Sequence, residues 1–417
     1  MVAVGLLLAA AHGCGFLFAR FRQPRVVGEI LGGLLLGPTI LGAIAPQWSA
    51  WIVNGRPFTA VVLGAVYQAG IILLMFSSGA EMRLAFQAGE RRIAVGVTVV
   101  GTLVPFLSGL LLVRWLHVAR FMGDAQNETA FLLTFACAMA VTSIPVISRI
   151  MLDLKILGTS FSRIVLASAV LEDLILWAVL AIILGLVGAA QEQLVGLPVI
   201  LGVHHRPVQS AIYHVVAAIT LFGAGILVGP RLFRLTTESS WNLIYRSSPV
   251  AFLLVVMLAV SSISLLVGVA ALFGAFIAGI ITAPTDQEGM QAHAAIRQVG
   301  FASLVPLYFA LVGLRLDLLH DFNVLLFVGL LLWASVAKAG SVYLGARIMG
   351  ERPAGARNLA AALNCRGGPG IVLASVTYDA GIINESFFAM LIMLALLTSM
   401  AAGFWLEGVV RRGAPLR

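Results

Sequence analysis

Charge is what this sequence has least of. Only 11% of its 417 residues are Asp, Glu, Lys or Arg, where soluble globular domains carry about 25%. Such a chain cannot cover a water-facing surface, so an ordinary soluble fold is excluded. Cysteine is also scarce. Cys14, Cys137 and Cys365 are the whole complement, each within or at the edge of an apolar run. They read as free thiols, not as a disulfide framework. The seven histidines are scattered without metal-ligand spacing, and His204–His205 reads as an inert loop pair. Ten-residue segments of alternating hydrophobicity, the mark of a membrane barrel, are missing. Glycine-rich stretches such as "GEILGGLLLG" lack the strand–loop–helix setting of a nucleotide loop and read as close helix packing. No cofactor and no enzymatic centre are expected.

What the chain has in abundance is apolar length. Hydrophobic residues make up 60% and the mean hydropathy is +1.03. Runs of 18 or more apolar residues recur from end to end, each long enough to cross a bilayer as a helix. The first run flows straight into this pattern, so no cleavable signal peptide is expected. The sequence predicts an all-α polytopic membrane protein with thirteen spans, at 2–19, 26–44, 58–80, 93–113, 129–150, 164–187, 210–230, 248–266, 268–283, 299–316, 323–346, 355–378 and 385–408. The net charge of +8 reflects topology, not nucleic-acid binding. Of 26 basic residues, 19 fall on one side of the predicted spans and 5 on the other. The positive-inside rule makes the first side cytoplasmic, with the N-terminus outside and the C-terminus inside.

The sequence also repeats itself. "VGEILGGLLLGPT" (27–39) matches "FGAFIAGIITAPT" (273–285), pairing Gly28 with Gly274, Gly33 with Gly279, Pro38 with Pro284 and Thr39 with Thr285. "SSGAEMRL" (77–84) matches "LVGLRLDL" (311–318), pairing Gly79 with Gly313. The matched spans run in opposite directions by the charge count. That is the pattern of inverted-topology repeats in secondary transporters. The fifth and twelfth spans, "AVTSIPVIS" (140–148) and "LNCRGGPGIV" (363–372), carry Pro145 and Pro369 in mid-span. Each proline removes a ladder hydrogen bond, from Val141 and Cys365 respectively. Interrupted helices at matching positions point to a midplane binding site, although a single such span would read as an ordinary kink.

Two adjacent acids, Glu172 and Asp173, lie about 15 Å into the sixth span, near the centre of a ~30 Å hydrocarbon core. Each costs about 2.5–3.5 kcal/mol there. Adjacent helix positions point about 100° apart, so the two need not do the same job. A carboxylate at that depth can hold a proton or a metal cation, and competition between the two is the physical core of antiport. The plainer reading is a buried ion pair with Lys338 or Arg366, the two basic residues inside spans. Lys338 can also neutralise a broken-helix end or snorkel. Arg366 reads first as structural, holding free carbonyls, with Asn364 adding polarity beside it. Thr142 and Ser143 supply hydroxyls at the first break. Glu29, Glu81 and Arg83 sit near span ends and read as interface anchors.

Taken together, "PRVVGEILGGLLLGPTILG", "AVTSIPVISRIMLDLKILGTSFSRIVLASAVLEDLILW", "VPLYFALVGLRLDL" and "NCRGGPGIVLAS" resemble the CPA2-type monovalent cation/proton antiporters. That family includes bacterial sodium–proton and Kef-type potassium–proton exchangers. The resemblance implies a homodimer in a membrane, in bacteria the inner one. It implies a dimerisation part (1–80 and 248–316), an ion-binding core part (93–187 and 323–408) and a linker helix (210–230). It makes Asp173 the cation- and proton-binding aspartate and Thr142 and Ser143 part of the crossover beside it, with a monovalent cation and a proton as the transported partners. Glu172 departs from the family, whose members carry Asp, Asn or Gln there, and the tenth span lacks the lysine some members have. No soluble regulatory domain is expected after the last span. The functions in view are a Na⁺ or K⁺/H⁺ antiporter, a gated cation channel of the Kef kind, and a non-transporting scaffold. Midplane acids and paired breaks argue against the last.

Overall fold

In the computed structural model, described for residues 2–21, 23–54, 57–85, 91–115, 118–187, 196–202, 207–239, 241–284, 286–319 and 322–417, the chain is helical throughout. Thr285, His204, His205, Arg22, Arg56 and Arg206 lie outside the described residues, as does the side chain of Arg83. The helices are α1 (Val2–Arg20), α2 (Arg25–Leu36), α3 (Pro46–Asn54), α4 (Pro57–Ala85), α5 (Arg91–Leu112), α6 (Glu128–Ala140) and α7 (Ile144–Asp153). They continue with α8 (Ser160–Val187), α9 (Leu197–Ile200), α10 (Pro207–Leu227), α11 (Gly229–Glu238), α12 (Leu243–Ser247), α13 (Pro249–Leu266) and α14 (Ala271–Thr282). The last are α15 (Gln287–Ala302), α16 (Leu304–Leu314), α17 (Val324–Ile348), α18 (Pro353–Leu363), α19 (Gly367–Asp379) and α20 (Glu385–Arg411).

Local chemistry starts many of them. Side-chain oxygens of Asn127, Ser248, Asp286, Asn323 and Asn384 accept the amide three residues on, at the heads of α6, α13, α15, α17 and α20. Each such cap satisfies an amide that the helix itself cannot.

Among the described residues, ten segments are long and apolar enough to cross a membrane, or eleven if the bent pair α10–α11 counts as one. The chain is an integral membrane protein. Length and composition alone do not give the thirteen spans read from sequence. The fifth expected span is split into α6 and α7. The ninth is the 12-residue α14, buried at every residue from Leu272 to Thr282. A helix surrounded by protein need not match the bilayer's thickness. The tenth begins earlier than expected, because Asp286 caps a helix at Gln287.

The chain divides into two compact units. One comprises Met1–Gly64, Ala88–Leu176 and Phe309–Arg417, the other Ala65–Gln87 and Trp177–Tyr308. In the first, α2 and α16 cross backbone to backbone. A Cβ on Gly33 would overlap the Ala310 carbonyl, and one on Gly313 would overlap that of Ile30. In the second, α4 and α14 do the same. Gly79 faces the Phe276 carbonyl and Gly279 that of Phe76. Gly33 and Gly279 are partners in the sequence repeat, and so are Gly79 and Gly313, so matched residues make matched crossings. The third pair agrees. Gly28 lies against the Cys14 carbonyl of α1, and a Cβ on Gly274 would come within 2.6 Å of the Val260 carbonyl of α13.

Candidate ion site at two broken helices

The polypeptide between α6 and α7 is extended, with Val141 at φ −60°, ψ 143° and Ser143 at φ −123°, ψ 110°. That between α18 and α19 runs through Asn364, Cys365 and Arg366. The prolines do not act as the sequence suggested. Pro145 and Pro369 both fall in the first turn of the helix after the break, where a backbone N–H has no intrahelical partner to lose. The carbonyls left over are instead the last ones of α6.

The two breaks hold each other. The Thr142 hydroxyl donates to the Leu363 carbonyl at 2.7 Å. Ser143 Oγ accepts the Gly368 amide at 3.1 Å while capping α7 through Val146 at 3.4 Å. Only glycine fits at 367, since a Cβ there would come within 2.6 Å of Ser143 Oγ and would overlap Val146. The Gly367 amide is taken by Ser399 Oγ of α20 at 3.1 Å. Sequence reading missed Ser399. Its neighbour in "LLTSM", Thr398, merely bonds back to its own helix.

Two buried cations close the carbonyl end of α6, where the helix dipole is negative. Lys338 is fully buried. Its Nζ donates to the Ala140 carbonyl at 2.6 Å, the Gly101 carbonyl at 2.9 Å and Glu172 Oε2 at 2.8 Å. Arg366 donates through Nε to Ala138 (3.2 Å), through one terminal nitrogen to Met139 and Ala334 (3.1 and 2.8 Å), and through the other to the carbonyl and Oδ1 of Asn364 (3.3 and 2.7 Å). An ammonium has three N–H donors and a guanidinium five. All eight are therefore spent, and Glu172 supplies the carboxylate among these hydrogen-bond partners.

Glu172 thus sits in a buried ion pair, the plainer of its two readings. Arg366 holds carbonyls and makes no ion pair among the described residues, and Lys338, deep in the protein, does not snorkel. Asp173, one residue on along α8, is 1% exposed and lies within electrostatic reach of Lys338. Away from the crossing, Glu29 corrects its sequence reading. It is 8% exposed and packs on Gly15 of α1, so it is no interface anchor. Glu81 pairs with Arg297 at 2.8 Å.

The chain that carries this site has known relatives. Residues 6–412 match the family described as "Sodium/hydrogen exchanger, transmembrane". The chain belongs to that family of antiporters. It is 26% identical to the Na⁺/H⁺ antiporter NhaS4 of Synechocystis, over 95% of this chain and 93% of that one. It is 24% identical to the Na⁺/H⁺–K⁺ antiporter GerN of Bacillus cereus, over 95% and 92%. Against cation/H⁺ antiporter 20 of Arabidopsis thaliana the identity is 28%, and this chain spans 47% of that protein's length. The fold is that of the sodium–proton antiporter MjNhaP1 from Methanocaldococcus jannaschii, with a TM-score of 0.60 at 16% identity over 97% of this chain and 94% of that one.

Proposed function

We propose that this family member exchanges a monovalent cation, Na⁺ in preference to K⁺, for protons by alternating access, and that Asp173 carries both ions by turns. Deprotonated Asp173 takes a dehydrated cation with oxygens from Thr142 and Ser143. Glu172 tunes the site through Lys338. The loaded core (93–187 and 323–408) shifts against the dimerisation part (1–80 and 248–316), linked by 210–230, releases the ion, and returns protonated. The working form is a homodimer, in bacteria in the inner membrane, with the N-terminus outside and the C-terminus in the cytoplasm.

The observation that carries this reading is an acid buried beside two broken helices. Asp173 is 1% exposed, one residue from the Glu172 that pairs with Lys338 at the end of α6. Burial favours a proton-bound carboxyl and a nearby cation favours the carboxylate, so an acid so placed can trade one for the other. The names of NhaS4 and GerN supply Na⁺ and K⁺ as the candidate cations. The test is purified protein in liposomes with a trapped pH dye, given Na⁺, K⁺ and Li⁺ in turn. Cation-dependent proton movement, lost in Asp173→Asn, is the expected result. Cation flux without coupled protons would favour a gated channel instead, and full exchange by Asp173→Asn would remove that residue from the site.

A further inference from the structure

A cavity of about 400 Å³ opens where four helix ends meet within one unit: the end of α1, the start of α2, the end of α7 and the end of α20. It plays no part in the ion site. Its lining includes Gln23, Arg25, Arg149, Asp153, Lys155 and Glu407. Gln23 is the decisive residue. It is 6% exposed, and both its side-chain oxygen and its side-chain nitrogen are buried without a hydrogen-bond partner among the described residues. A buried primary amide left unsatisfied loses its hydration without compensation, and buried polar groups are otherwise nearly always paired. Here an amide that can both donate and accept borders a cavity of ligand size.

The charges around it have both signs. Arg25, Arg149 and Lys155 face the space together with Asp153 and Glu407, and the Arg149 Nε already holds Asp153 at 3.1 Å. A plain dianion would meet two carboxylates there, and a plain cation would meet three bases. A zwitterion can use both. Helix ends lie at the depth of lipid head groups, beyond the ~30 Å hydrocarbon core.

We propose that this cavity binds a phosphoethanolamine group, with the phosphate on Lys155 and the arginines, the primary ammonium on the acids, and the Gln23 amide bridging them. The group can arrive as a phospholipid head or as a soluble phosphoethanolamine. Two arms separate the sources. In the first, native mass spectrometry of the full chain compares retention of phosphatidylethanolamine, phosphatidylcholine and phosphatidylglycerol. In the second, detergent-purified protein is titrated with phosphoethanolamine and with inorganic phosphate, read by thermal shift.

The expected result is at least threefold preferred retention of phosphatidylethanolamine, since the choline lipid cannot donate N–H bonds and the glycerol lipid has no ammonium. The preference falls in Gln23→Leu and in Lys155→Asn. Asparagine is chosen because Lys155 has φ 59°, a conformation Asn tolerates. A thermal shift with soluble phosphoethanolamine supports the group from either source, and a lipid preference without one supports the lipid source. Equal retention of the three lipids with no soluble binding overturns the proposal. So does a shift with inorganic phosphate as large as that with phosphoethanolamine, and so does a preference unchanged in both variants. Neither arm reads ion exchange, so failure here leaves the antiport proposal standing.

Discussion

Two kinds of helix crossing occur in this molecule, and they solve opposite problems. At Gly33–Gly313 and Gly79–Gly279 the helices run unbroken, and the side chains have been removed so that carbonyls meet Cα atoms. At 141–143 and 364–366 the helices stop, and their loose ends are filled by hydroxyls, a lysine and an arginine. The first arrangement brings backbones close with every ladder bond kept. The second gives up ladder bonds to place polar groups in the interior. What differs is the kind of error each tolerates. The glycine crossings fail by volume, and the broken crossing fails by charge.

The largest effect expected is loss of exchange in Asp173→Asn with the fold retained, measured as proton flux in liposomes and as an unchanged melting temperature. Under the proposed exchange, one proton and one cation compete for one site. The apparent KM for Na⁺ should therefore rise as pH falls on the acid side, by about tenfold per pH unit. Next comes Arg366→Met. It strands the carbonyls of Ala138, Met139 and Ala334, each worth about 1–3 kcal/mol when buried and unmet. Folded yield in detergent should collapse.

Gly313→Leu tests the other kind of crossing. Overlap with the Ile30 carbonyl should cost more than about 3 kcal/mol whatever the pH. Glu172→Gln should cost roughly 3–5 kcal/mol by leaving Lys338 buried without its carboxylate, with some exchange kept and its pH profile moved. Adding Lys338→Met to it should not return that stability, because the Ala140 and Gly101 carbonyls then lose their donor as well. The smallest effect is Gly340→Ala. A Cβ there meets nothing within 4 Å, so stability should rise by about 0.5–1 kcal/mol. A large loss from it would break the claim that only close-approach glycines matter.

Much of this was legible in the residues. The glycine pairs gave the repeat, and the same glycines make the equivalent crossings, because a missing Cβ is a local property that sequence displays directly. The breaks were legible for the same reason. The role of their prolines was not. Whether a proline ruptures a helix or opens the next one depends on where the preceding carbonyls find partners, and those lay on Lys338 and Arg366, far away along the chain. The Glu172–Lys338 pair, 166 positions apart, was among the readings the residues offered, because Lys338 and Arg366 are the two bases inside spans; which base and which acid would meet was not. The burial of α14 was hidden as well, since an oily helix wrapped in protein has the same composition as one wrapped in lipid.

The mutual grip of Thr142 on Leu363 and of Gly368 on Ser143 has a mechanical corollary. The four half-helices are stitched at two points, so turning or sliding one broken rod past the other costs both stitches, whereas moving them together costs neither.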